Sequence, residues 1–189
     1  MFRLACIMWC LLISISLPAC NSNPSVEMSK AVQYKVVQTE DFSFPGRKRV
    51  GASIVVANNN LTFEQKAHTA MKAAADLQKQ TQAKMVSVLM EYSSETLGLG
   101  YVAAKAEYSP DNGGYSGSQG YTWDVEATTE SPTELELATL KLWGKNRSRF
   151  QKDGSTDEPQ LSKFIADQLS IRADEVSLPL YSLKSFLHQ

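Results

Sequence analysis

Between residues 34 and 127 the spacing of apolar positions changes from two to three or four and back to two. "YKVVQTE" (34–40) and "RVGASIVVA" (49–57) read as strands, parted by a Pro45-Gly46 turn. In "LTFEQKAHTAMKAAADLQKQTQ" the residues Phe63, Ala67, Ala70, Ala74 and Leu77 recur at spacings of four and three, one stripe of a helix. Thr62 is its expected cap, with Gln65 closing a capping box. The stripe is mostly alanine, so the helix can lie close against a sheet. His68 borders it and is expected at a surface or boundary rather than in catalysis.

The period of two returns in "KMVSVLMEY" (84–92), where Val86, Val88, Met90 and Tyr92 share a face. "GYVAAKAEY" (100–108) sets Val102, Ala104, Ala106 and Tyr108 against Tyr101, Lys105 and Glu107. "YTWDVEA" (121–127) points Tyr121, Trp123 and Val125 inward and Asp124 and Glu126 outward. The order is β-β-α-β-β-β: an α+β domain over 34–128, with one helix on a face of a mainly antiparallel sheet. Residues 129–189 read as a helical C-terminal segment. Its first helix is expected to start with Ser131 as cap, Pro132 at the first position and Glu134 at the third. Leu135, Leu137, Leu140 and Trp143 follow in that helix, then Leu161, Phe164, Ile165 and Leu169 in a second.

Ahead of the domain lies a different pattern. Arg3 precedes the uncharged stretch "LACIMWCLLISISLPA", which is shorter than the roughly 20 residues needed to span a bilayer. A cleaved signal over 1–19 fits better. Leu17, Pro18, Ala19 and Cys20 then resemble the lipobox of bacterial lipoproteins. That resemblance implies acyl chains on Cys20, an anchor in the cell envelope and, with Asn21 rather than Asp after the cysteine, the outer membrane in preference to the inner. Residues 20–33 carry Asn, Ser and Pro without a sustained period and read as a tether of roughly 20 Å reach.

Composition narrows the function classes. The chain has 189 residues, 43% of them hydrophobic, enough for one domain that needs no metal or disulfide to hold its core. A net charge of −1 argues against nucleic acid, whose phosphates call for a basic face. The three cysteines, Cys6, Cys10 and Cys20, leave no thiol in the domain once the leader is removed.

Catalytic patterns are weak. "GLGYVA" (98–103) matches a relaxed dinucleotide fingerprint, but it precedes a strand, where a helix N-terminus would be required. Its glycines are expected in a turn, and no cofactor is expected. "GYSGS" falls one residue short of G-x-S-x-G, and neither H-E-x-x-H nor S-x-x-K occurs. Asp124 and Glu126 could form an acid pair, though solubility also explains them. The better candidates are contacts with a partner: Tyr115 at the centre of the Gly-rich loop 109–120, Tyr101, and the basic run Arg47, Lys48, Arg49 at a hairpin end. The portion 34–128, with "AEYSPDNGG" after its fourth strand, is similar to a bacterial family of exported domains of unknown function, which implies no activity. The expectation is a non-catalytic envelope module for a protein or glycan partner, of exclusion or inhibitor type; the alternative is a hydrolase of envelope polymers.

Overall fold

The structure is a computed structural model and describes residues 26–189; Cys20 and the leader lie outside the described residues. Strands β1 (Tyr34–Asp41) and β2 (Arg49–Val56) form an antiparallel hairpin whose turn is closed by the Phe44–Arg47 bridge, with Gly46 at φ 85°. Helix α1 (Phe63–Thr81) crosses from β2 to β3 (Met85–Glu91), and these two strands are parallel. Strands β4 (Val102–Tyr108) and β5 (Trp123–Ala127) continue antiparallel. The sheet is α+β in class and mainly antiparallel, as the period of two predicts.

Thr62 caps α1 and Gln65 returns the bond, so the predicted capping box is present. Ala67, Ala70 and Ala74 are fully buried, and this near-bare stripe lets α1 lie on β3, β4 and β5. It covers Ile54, Val86, Val88, Met90, Ala104, Ala106 and Val125 from one side of the sheet. Each of the larger side chains stabilises the fold by about 1.5–3 kcal/mol through removal from water. Trp123 closes this core, stacked on Tyr108 with ring centroids 4.1 Å apart. His68 is 8% exposed; its Nδ1 accepts the Lys30 N–H at 3.2 Å and its ring meets the edge of Phe186.

Beyond β5 come α2 (Glu134–Asn146), a hairpin of β6 (Gln151–Lys152) and β7 (Ser155–Thr156), and α3 (Glu158–Leu169). The cap of α2 is Thr133, not Ser131: Thr133 and Glu136 form the reciprocal box, two residues later than expected. The segment is not helical to its end. β8 (Lys184–His188) pairs antiparallel with β5 and makes the sixth strand, in the order β1-β2-β3-β4-β5-β8.

Residues 26–33 are not a free tether either. Val26, Met28 and Val32 pack on the core, and the Val32 N–H donates to Thr69 Oγ1 at 3.0 Å. Their apolar residues gain more from that contact than a coil in water would give them. Lys66 of α1, fully buried, donates to Thr128 O, Thr128 Oγ1 and Glu130 O, tying the helix to the chain leaving β5. Burial lowers its pKa, opposed by the charge of Glu130.

Candidate functional site

The second side of the sheet carries the odd-numbered residues of β2 to β4; Met85, Glu91 and Glu107 near its ends are buried, and the open stretch between them is made mostly of small or polar residues with Leu89. Gly51 and Ser53 on β2 and Ser87 and Leu89 on β3 form a floor; Gln38 and Glu40 on β1 form one wall. Phe42 and Tyr115 close one end of the resulting groove, whose volume is about 350 Å³. Gly51 matters for its shape. A Cβ there would come within 3.0 Å of the Phe42 ring, so any side chain would push that ring aside.

The rim is the loop 109–120, and Arg47 holds it. Arg47 donates to Asp111 Oδ2 at 2.8 Å, to Ser109 Oγ at 2.9 Å, to Lys84 O and to Gly114 O. The guanidinium beside it holds the Asp111 carboxyl down at about 2, helped by Ser109 and the Gly113 N–H. Gly113 packs against the guanidinium so closely that a Cβ would lie 2.9 Å from it. Gly113 and Gly114 therefore serve close packing, whereas Gly117 and Gly120 supply positive φ. Tyr115 stacks on Phe42 at 5.9 Å, and Arg49 lies over Tyr115 at 4.1 Å and over Phe42 and Phe44.

The predicted basic run thus divides into three roles. Arg47 is 6% exposed and cannot meet a partner, contrary to the expectation of an exposed hairpin end; its bonds to the loop are what bury it. Lys48 is exposed and donates to Thr81 O at the C-terminal end of α1, where a cation is favoured. Arg49 is half-buried in the aromatic stack, its Nη2 and Nε on Phe42 O.

Tyr115 is 44% exposed at the groove, as its place at the loop centre predicts. Tyr101 is elsewhere. It precedes β4 whereas the loop follows it, and seven residues of strand span roughly 23 Å. There it lines a separate cleft with Trp143, Arg147, Leu178 and Leu180.

Tyr121 is buried, 6% exposed, but it does not join Trp123 in the core under α1. Gly120 has φ 78°, which turns the chain before β5 begins, and the Tyr121 ring goes to the open side. Its hydroxyl donates to Glu107 Oε2 and accepts the Tyr115 N–H at 3.2 Å. Burial, reinforced by Glu107, raises the Tyr121 phenol. Glu107 also pairs with Lys105 at 2.8 Å. Asp124 and Glu126 face outward as predicted and lie across from Glu107 and Lys105, and Asp124 meets His188 Nδ1 at 3.3 Å.

Gly98 and Gly100 adopt φ 73° and 82° in the turn that enters β4. A strand follows them, so the fingerprint lacks the helix N-terminus that pyrophosphate would need. Among the described residues no group of three or more His, Cys, Asp or Glu is placed to hold a metal, and no helix is long and apolar enough to cross a membrane.

The groove residues Gln38, Glu40, Phe42, Ser53 and Ser87 were not candidates from the sequence. The signal was present: in "RVGASIVV" every second residue is Val, Ala, Ile or Val, and those between them include Gly and Ser. Such a strand has one side that packs and one that does not.

A search of curated proteins gave no match. Among solved structures, the crystal structure of a DUF487 family protein from Desulfovibrio piger is similar, at 30% identity and a TM-score of 0.71 over 84% of this chain and 97% of that one. Residues 29–182 match the family described as a domain of unknown function, DUF4875. With that match running from the segment before β1 to the threshold of β8, the chain belongs to the DUF4875 family.

Proposed function

We propose that this protein is a non-catalytic binding module of the bacterial cell envelope, which holds a protein or glycan partner on the open side of its sheet. The observation that carries the reading is the uncovered sheet face itself, with its groove of about 350 Å³ and a rim fixed by Arg47. A face whose open stretch is Gly51, Ser53 and Ser87, with Leu89 as its one large aliphatic side chain, gains little from a second helix, so its exposure is stable without a partner and available to one. Long loops on rigid strands are where recognition tends to sit.

The anchoring part of the reading rests on the sequence. The lipobox-like Leu17–Cys20 supports acylation of Cys20, and Asn21 supports the outer membrane. Two or more acyl chains would make attachment effectively permanent.

The hydrolase alternative draws on the Asp124–His188 contact beside Glu107. Among the described residues no hydroxyl is hydrogen-bonded to His188, whose partner is Asp124, and Glu107 is already engaged by Lys105 and Tyr121. Crosslinking in intact envelopes followed by pull-down tests the two readings. Capture that is lost in Tyr115→Ala and kept in His188→Ala supports the binding module; the reverse supports the hydrolase.

A further inference from the structure

We infer that the groove takes an extended peptide segment carrying Lys or Arg side chains, seated alongside β1; this rests on the binding reading above and names its ligand class. Three observations lead there.

First, the one charged side chain that lines the groove is acidic, Glu40; Lys35, on the same side of β1, does not line it. Arg49 is engaged by Phe42 O and three aromatic rings, and Lys105 by Glu107. Glu40 in the groove and Glu126 beyond it have no ion-pair partner among the described residues. An anionic ligand in the groove would meet Glu40, whereas Lys35 and Arg49 are not among the residues that line it. A basic side chain lying over Gly51 and Ser53 would meet Glu40 and the hydroxyls of Ser53 and Ser87.

Second, β1 is the terminal strand of the sheet, so among the described residues its outer backbone groups pair with no strand. The register shift between Val36 and Gln38 interrupts the ladder and leaves Gln38–Asp41 as the regular run. An added strand would satisfy those groups, the usual mode by which a sheet edge captures an extended peptide. Third, the groove lies directly inside that run. Side chains of an added strand that point to the open side would stand about 5 Å from Gln38 and Glu40, and a Lys or Arg reaches across β1 to Ser53.

The test uses the full chain in neutral detergent micelles and fluorescence anisotropy with three defined probes: a labelled octapeptide of alternating Thr and Lys, its Thr–Glu counterpart, and chitotetraose as competitor. The Thr–Lys peptide should bind with Kd below about 1 mM. Binding should weaken about three- to fivefold in Glu40→Gln, vanish in Ser87→Arg, stay unchanged in Glu134→Gln on α2, and fall with added salt. Unchanged melting temperatures show that the variants fold. Absence of Thr–Lys binding, or binding indifferent to both Glu40→Gln and Ser87→Arg, overturns the inference. If the Thr–Glu peptide or chitotetraose binds instead and Ser87→Arg abolishes that, the groove remains the binding surface and only the basic-peptide assignment falls.

Discussion

Arg47 and Asp111, 64 residues apart in the chain, meet at 2.8 Å and join the β1–β2 turn to the loop between β4 and β5. The contact is part of a fan of bonds that also reaches Ser109, Lys84 and Gly114. Arg47→Ala should cost about 3 kcal/mol by removing several hydrogen bonds to a charged donor. Arg47→Lys should recover little of it, since an ammonium cannot match the planar fork. Denaturant melts of the three proteins check this.

The same pair sets an acid limit. Asp111 falls from 3.8 to about 2 in the folded state, a lowered pKa, so its contribution is present above the unfolded value and lost as pH falls from about 4 to about 2. Its side chain is 40% exposed, so solvent screening keeps the effect small. A pH series of melts should show a loss of stability in that window that is absent in Asp111→Asn.

Glu91 has the opposite sign. It is 2% exposed, and burial pushes its carboxyl from 4.5 up to about 7. Thr96 Oγ1 lies 3.2 Å away but has a better acceptor in Ser93 O at 2.8 Å, which suits a neutral Glu91. A raised carboxyl pKa means the unfolded chain loses its proton first, so stability falls as pH rises from about 4.5 to about 7. Glu91→Gln should remove this slope and be more stable at pH 8, by on the order of 3 kcal/mol. Equal slopes in both proteins would contradict the assignment.

Trp123 and Tyr115 separate core from rim. Trp123→Ala empties a buried site against Tyr108 and should cost about 3–5 kcal/mol. Tyr115→Ala loses only its stacking on Phe42 and Arg49, about 1 kcal/mol, yet should weaken partner capture. Thermal melts set beside the capture assay show whether stability and binding divide between the two residues in this way.

For the anchor, labelled palmitate should enter the wild-type protein and not Cys20→Ala. Equal labelling of both would remove the lipoprotein reading and leave the sheet-face reading untouched.

The alternation in β2 to β5 and the stripe of α1 made the class of the fold legible, because burial on one side imposes a period that sequence displays directly. What escaped was set by contacts distant in the chain. Nothing near Arg47 announces Asp111, so three neighbouring cations looked alike. "KSFLH" is too short to show a period, and its pairing with β5 depends on what lies opposite. Tyr121 follows the strand pattern until Gly120 breaks it, and a left-handed residue does not declare itself in an alternation.

The strand order has a kinetic consequence. From β1 to β5 each strand lies beside its predecessor in the chain, whereas β8 returns to β5 from beyond α2 and α3. Short closures are met first, and the longer one is reached only after the earlier strands exist to receive it. The contact of Phe186 with His68 and Phe63 is then among the last to form on the way to the folded state. Shortening Phe186 should quicken unfolding while leaving the rate of folding nearly unchanged, because the barrier is crossed before β8 docks.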